Sequence, residues 1–152
     1  MKKSKIILIS VIVLAFAFVF SYAFASGFKT KPSDYHIGVS YTEAIKSEKP
    51  MLVLFYVDWC SFCLKFMPRY KTVCDLYKNE YNVVMLNAEE PVYYNLVKDI
   101  GLTSFPTIYI IDPKYDNRIL INNAYYGNLK KLRIELDRYV RIRHILDSAK
   151  KS

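Results

Sequence analysis

Apolar residues along this chain fall into two kinds of block. Continuous runs of strand length occupy Met51-Leu52-Val53-Leu54-Phe55-Tyr56-Val57, Val83-Val84-Met85-Leu86-Asn87 and Thr107-Ile108-Tyr109-Ile110-Ile111. Runs without alternation suit strands covered on both faces. Between them the apolar positions recur at helical spacing, from Cys63 to about Asn79 and from Pro91 to Ile100. A last helix should begin after Gly127, capped by Asn128, with Leu132, Leu136, Tyr139, Val140 and Leu146 on one face. Pro68 lies inside the first of these helices and should kink it. Gly101 fits the left-handed position that closes the second.

Shorter signals fill in the rest. Ile37–Val39 reads as a short first strand, and Ser40-Tyr41-Thr42-Glu43 as a capping box that starts a helix over Tyr41–Ser47. Lys49-Pro50 ends that helix. Asp112 to Asn117 makes a turn, and Arg118–Ile121 returns as a fourth strand antiparallel to the third. The predicted order is β-α-β-α-β-β-α: an α/β fold whose mixed sheet of four to five strands is flanked by helices. An N-terminal apolar helix precedes it.

That N-terminal stretch divides the chain. Lys2, Lys3 and Lys5 precede Ile6–Ala25, which is apolar apart from Ser10 and Ser21. Ala23-Phe24-Ala25 before Ser26 fits a small-x-small cleavage site. The run also has about the 20 residues that cross a bilayer once. Residues 1–25 are therefore a signal peptide or a membrane anchor, and the length favours the anchor. Residues 26–34 read as a linker and 35–152 as the folded domain. Either reading of the first segment places that domain outside the cytoplasm.

Composition narrows the function. The formal charge is +8, of which three belong to Lys2, Lys3 and Lys5, leaving 8 − 3 = +5. Much of that excess sits in the last helix, as expected of a solvated face. No basic stripe interleaved with aromatics surrounds a groove-reading motif, so nucleic acid is not the expected partner. Three cysteines are too few for a disulfide scaffold.

Two of the three stand in Trp59-Cys60-Ser61-Phe62-Cys63, where a strand gives way to a helix. Unpaired amides and the helix dipole at that point favour a thiolate at Cys60. Cys63 lies one turn on, within disulfide reach. Half a zinc site is the competing reading, but zinc takes four ligands, and Cys74, His36 and His144 lie at no ligand spacing. No metal or organic cofactor is expected. Cys74 falls about three turns after Cys63 on the same side of the helix, too far for a bond, and reads as a buried core residue, with a second redox site as the alternative.

From about Tyr35 to Tyr139 the chain resembles the thioredoxin superfamily. The resemblance is carried by Lys49-Pro50 before Leu52-Val53-Leu54-Phe55, by Trp59-Cys60-Ser61-Phe62-Cys63 and by Pro68. Further on it rests on Leu86-Asn87, Gly101, Phe105-Pro106-Thr107 and Gly127. With the N-terminal signal, it is most similar to bacterial periplasmic and membrane-anchored thioredoxin-like disulfide oxidoreductases. The resemblance implies a thioredoxin-like fold and a cis bond before Pro106 beside the dithiol. It also implies that the Phe105 backbone pairs with an extended substrate.

Two departures stand out. The buried acid that many family members place six residues before the first cysteine is Leu54 here, and its frequent lysine partner is Met85. Asp58 is then the nearest acid for proton transfer at Cys63. Between the cysteines, Ser61-Phe62 provides no histidine to stabilise a thiolate, which favours a reductant over a strong oxidant.

The expectation is a protein-disulfide oxidoreductase in which Cys60 attacks and Cys63 resolves. Trp59, Phe62, Phe105 and Pro106 form its apolar docking surface. Its partners are protein substrates with disulfides or thiols, and a redox protein that resets the dithiol. The alternative is a thioredoxin-fold binding or assembly module that holds cysteine-containing clients, as in cytochrome c maturation, with little turnover.

Overall fold

A computed structural model describes residues 2–25 and 29–151. They form two units, one up to Thr30 and one from Lys31 onward. In the first, Lys2–Ala25 is a single helix, α1. Among the described residues no helix is long and apolar enough to cross a membrane. Ser26 of the expected cleavage site and residues 26–28 of the expected linker lie outside the described residues.

The second unit holds a four-stranded sheet in the order β2-β1-β3-β4, from β1 (Met51–Tyr56), β2 (Asn82–Asn87), β3 (Thr107–Asp112) and β4 (Asn117–Leu120). β1 runs parallel to β2 and antiparallel to β3, and β4 returns antiparallel along β3. Successive strand side chains point to opposite faces. Leu52 and Leu54 therefore enter one core, with α3 (Ser61–Tyr77) and α5 (Leu129–Lys151) packed over it. Met51, Val53 and Phe55 enter the other, with α2 (Tyr41–Ala44) and α4 (Tyr94–Ile100) on that side. All six residues of β1 are buried, as a continuous apolar run requires. Each large side chain so buried contributes about 1.5–3 kcal/mol. The buried apolar residues described run from Pro32 to Tyr139, all within Lys31–Ser152.

The first strand expected over Ile37–Val39 does not form, and the sheet has four strands. Gly38 turns the chain with φ +85°, and its backbone presses so closely on Val83 that a Cβ there would overlap the Val83 carbonyl oxygen. The Val39 amide donates to that carbonyl (2.9 Å), without a ladder following. The predicted caps are found. The Ser40 hydroxyl accepts from the Glu43 amide (3.2 Å), and the Asn128 side chain accepts from the Lys131 amide (3.1 Å). α2 stops at Ala44, short of Ser47. Gly101 closes α4 in the left-handed region. The second compact unit runs from Lys31. Pro32–Tyr35 form a short 3-10 turn, and Pro32 is buried.

One end of the sheet carries a polar brace. Asp112, at the end of β3, is fully buried. It accepts from the Tyr139 hydroxyl (2.8 Å), and Arg143 Nε lies 2.6 Å away, an ion pair without hydrogen-bond alignment at that nitrogen. Arg143 also donates to the Glu48 carbonyl and to Asp147 and covers the Tyr115 ring. Asp147 is held at a pKa of about 2, first by the hydrogen bond from Lys114 and then by that from Tyr115. Its folded pKa is depressed. Its stabilising contribution is therefore fully present above pH about 4 and is lost as pH falls toward 2. Asp147→Asn should lower stability at neutral pH and flatten its fall between pH about 4 and 2, as followed by circular dichroism against pH.

Candidate active site

β1 ends at Tyr56, and the chain reaches Cys60 through Val57-Asp58-Trp59, a turn closed by the Cys60 amide on the Val57 carbonyl (3.1 Å). Cys60 is the N-cap of α3, with an extended backbone. Its sulfur accepts from the Cys63 amide (3.0 Å), using one of the unpaired donors at the start of the helix. A cysteine occupies a position where serine or aspartate is usual, and what it accepts there favours a thiolate once the bond is reduced. The two cysteines are joined in a disulfide with Cα atoms 5.2 Å apart.

The sulfurs are not equivalent. Cys63 is wholly buried, whereas Cys60 keeps 7% of its surface exposed. An incoming disulfide can reach Cys60 and not Cys63. Tyr56, Val57, Met85, Ala88 and Phe105 pack around the pair. The Phe105–Pro106 peptide is cis, as the family resemblance implied. Cys60 Sγ lies 3.7 Å from the Phe105 carbonyl oxygen, to which it can donate as a thiol. Beside the pair, Trp59 (72% exposed) and Phe62 (74% exposed) stand out into solvent. Large apolar side chains left exposed together mark an interaction surface. The structure thus gathers Trp59, Cys60, Phe62, Cys63, Phe105 and Pro106 at one end of the sheet.

Asp58 is placed differently from the expectation of proton transfer. Its carboxylate accepts from the Ser33 amide (3.1 Å) and hydroxyl (3.0 Å), and Lys31 lies 3.8 Å away. These contacts tie the start of the folded unit to the turn before the dithiol. None of the described hydrogen bonds joins Asp58 to a sulfur. Leu54 and Met85 are register partners on adjacent strands. Leu54 is fully buried and Met85 packs against the dithiol cluster. The apolar pair that stands in place of the acid and lysine thus lies on neighbouring strands beside the site.

Other site residues were not evident from the pattern. Glu89 accepts from the Trp59 indole (2.9 Å) and fixes the ring's edge. Arg69 donates to the Tyr126 carbonyl (2.9 Å), bridging α3 to the segment before Gly127. Both contacts join residues 30 or more apart in sequence, and only the strand register brings them together. Tyr56 is pushed up to about 12, by burial first and then by the negative charges of Asp58 and Glu90, so its phenol stays neutral.

Comparison with known proteins agrees with this geometry. The family model described as Thioredoxin matches residues 35–135. The chain belongs to the thioredoxin family. A protein disulfide-isomerase of Schizosaccharomyces pombe is 38% identical over 61 residues, 40% of this chain and 17% of the relative. The chloroplastic thioredoxin-like protein HCF164 of Arabidopsis thaliana is 32% identical over 72 residues, 47% of this chain and 28% of the relative. The chain therefore spans well under a third of either relative's length. Among solved structures, the J-Trx1 fragment of ERdj5 superposes with a TM-score of 0.56 at 19% identity, covering 66% of this chain and 48% of the fragment. The germline-specific thioredoxin Deadhead of Drosophila melanogaster gives 0.52 at 20% identity, covering 72% of this chain and 98% of its own. These two likenesses show the thioredoxin fold.

Cys74 is the free cysteine, buried against Tyr70 in the α3–α5 core. Burial, and then the charge of Asp75, push its thiol up to about 12. At neutral pH it stays protonated and is not a nucleophile. In the reduced native protein, iodoacetamide should label Cys60 and leave Cys74 unmodified until denaturant is added, as read by peptide mass spectrometry.

Proposed function

We propose that this chain is an extracytoplasmic thiol–disulfide oxidoreductase acting on protein substrates, and that it works as a reductant more than as an oxidant. The observation that carries the exchange chemistry is the unequal pair: Cys60, accessible and accepting an amide at the helix start, beside a wholly buried Cys63. In the reduced state the Cys60 thiolate attacks a substrate disulfide. A new S–S bond forms to the substrate, the old one breaks, and one substrate sulfur leaves as a thiolate. Cys63, deprotonated, then attacks Cys60 Sγ. The mixed disulfide breaks, the second substrate thiol is released, and the Cys60–Cys63 bond closes. Two electrons pass to the substrate, and a partner dithiol must return them.

Trp59, Phe62 and the Phe105–Pro106 segment would receive the substrate, with the Phe105 backbone pairing along an extended stretch. Ser61-Phe62 supports the reductant direction, since no histidine stabilises the thiolate. Lys2, Lys3, Lys5 and the apolar residues after them support placement outside the cytoplasm, with residues 1–25 as anchor or signal. Asp58 would serve proton transfer only through solvent, given its bonds to Ser33. The exposed Trp59 and Phe62 favour the second reading, a module that holds clients with little turnover.

Insulin-disulfide reduction separates the two readings. The protein, kept reduced by an external dithiol, should accelerate insulin precipitation above a Cys60→Ser control. Equal rates for the two proteins would refute the enzyme reading. Client capture by the Cys60→Ser/Cys63→Ser double variant as strong as by the parent would favour the holding module.

A further inference from the structure

The outer face of α5 has a composition that neither the fold nor the dithiol explains. The inner face carries Leu132, Leu136 and Tyr139 into the core. On the opposite side, Ile134, Ile142 and Ile145 are 54%, 38% and 68% exposed. At 100° per residue these three fall within one arc of about 80°. Lys130, Lys131, Arg138 and Arg141 fall on or beside the same arc and are all exposed. Ser148 and Ala149 extend it toward the C-terminus with small side chains. Two acidic residues, Glu135 and Asp137, border it. Glu135 sits at its edge, 3.5 Å from Arg138, and Asp137 and Asp147 are turned aside to Tyr77 and to Lys114.

A solvated helix face normally mixes charges of both signs and does not place isoleucines between them. Exposed aliphatic side chains interleaved with basic ones, on a helix of 23 residues, are the pattern of a helix that lies in a bilayer interface. The isoleucines reach the acyl boundary while the lysine and arginine stems extend their charges to the headgroups. We propose that the outer face of α5 docks on an anionic lipid surface, and that this contact is made by the folded unit independently of α1. The occupant is a bilayer rather than a protein because basic residues predominate on the stripe and are spread along its length. They are not gathered around a single pocket.

The test uses Lys31–Ser152, which contains the buried apolar residues described above. It is sedimented with vesicles of pure phosphatidylcholine and with vesicles holding 30% phosphatidylglycerol. Binding to the anionic vesicles only, weakened by added salt, is the expected result. Arg138→Gln/Arg141→Gln should lower the partition coefficient by about fivefold for each charge removed. Ile134→Ser/Ile142→Ser/Ile145→Ser should lower it comparably. All five positions are exposed, so both variants should keep the parent's circular dichroism spectrum and melting temperature. A variant that loses them is replaced by Lys130→Gln/Lys131→Gln at the start of the same stripe. Three outcomes overturn the proposal: binding to neither vesicle, equal binding to both, or a concentration-dependent dimer abolished by the isoleucine variant. The last would make the face a contact between two copies of the chain.

Discussion

Cys63→Ala is expected to yield a protein that captures disulfide-bearing substrates and does not let them go. Cys60 keeps its place as N-cap, since the Cys63 amide that it accepts from belongs to the backbone and survives the substitution. The first attack therefore proceeds. The second does not, because the resolving sulfur is gone and the buried space behind Cys60 admits no external thiol. Turnover should fall by roughly a hundredfold or more, the advantage of an intramolecular attack over one from solution. Mixed disulfides through Cys60 should accumulate on non-reducing gels and vanish with dithiothreitol. Cys60→Ser should give neither turnover nor trapped species. If Cys63→Ala traps nothing while the parent reduces insulin, the order of attack assigned to the two sulfurs is wrong.

Arg143→Ala should destabilise the fold by about 3–5 kcal/mol, the usual cost of removing one partner from a buried ion pair. Asp112 would keep the Tyr139 hydroxyl but stand as a buried carboxylate without its cation. The Glu48 carbonyl would lose its donor at the same time. Urea unfolding should show a lower midpoint with an unchanged slope. Asp112→Leu/Arg143→Met removes both charges and fills the space, so it should lie much closer to the parent than Arg143→Ala does. A small effect of Arg143→Ala alone would mean that water reaches Asp112.

Much of this molecule was legible in its sequence, for reasons that differ from part to part. Strands β1, β2 and β3 were readable because burial demands uninterrupted apolar runs, and Leu52 to Phe55 obey that rule. Asn128, Ser40 and Gly101 were readable because helix ends restrict residue choice. Ile37–Val39 misled because two β-branched residues flank Gly38, and a left-handed turn at Gly38 outweighed their strand preference. The dithiol and Pro106 could be brought together only through the family resemblance, since 43 residues separate Cys63 from Pro106. Nothing local announced Glu89 against Trp59, or the Asp58 bonds to Ser33, because polar contacts across distant segments leave no periodic trace. The Asp112–Arg143 brace was equally hidden: an arginine within a basic run looks solvated until the helix is docked.

The brace and the dithiol lie at opposite ends of β1. Met51 pairs with Ile111, next to Asp112, whereas Tyr56 leads to Cys60. The strand between them spans about 17 Å. A buried charge network needs every partner held fixed, and a redox site tolerates change in its surroundings only where change does not cost folding. With the two separated along one strand, substitutions at Trp59, Ser61 and Phe62 can adjust the site's surroundings while the anchoring end goes on specifying the fold. The scaffold is in that sense insulated from its chemistry, which leaves the reactive loop open to diversification under selection for new clients.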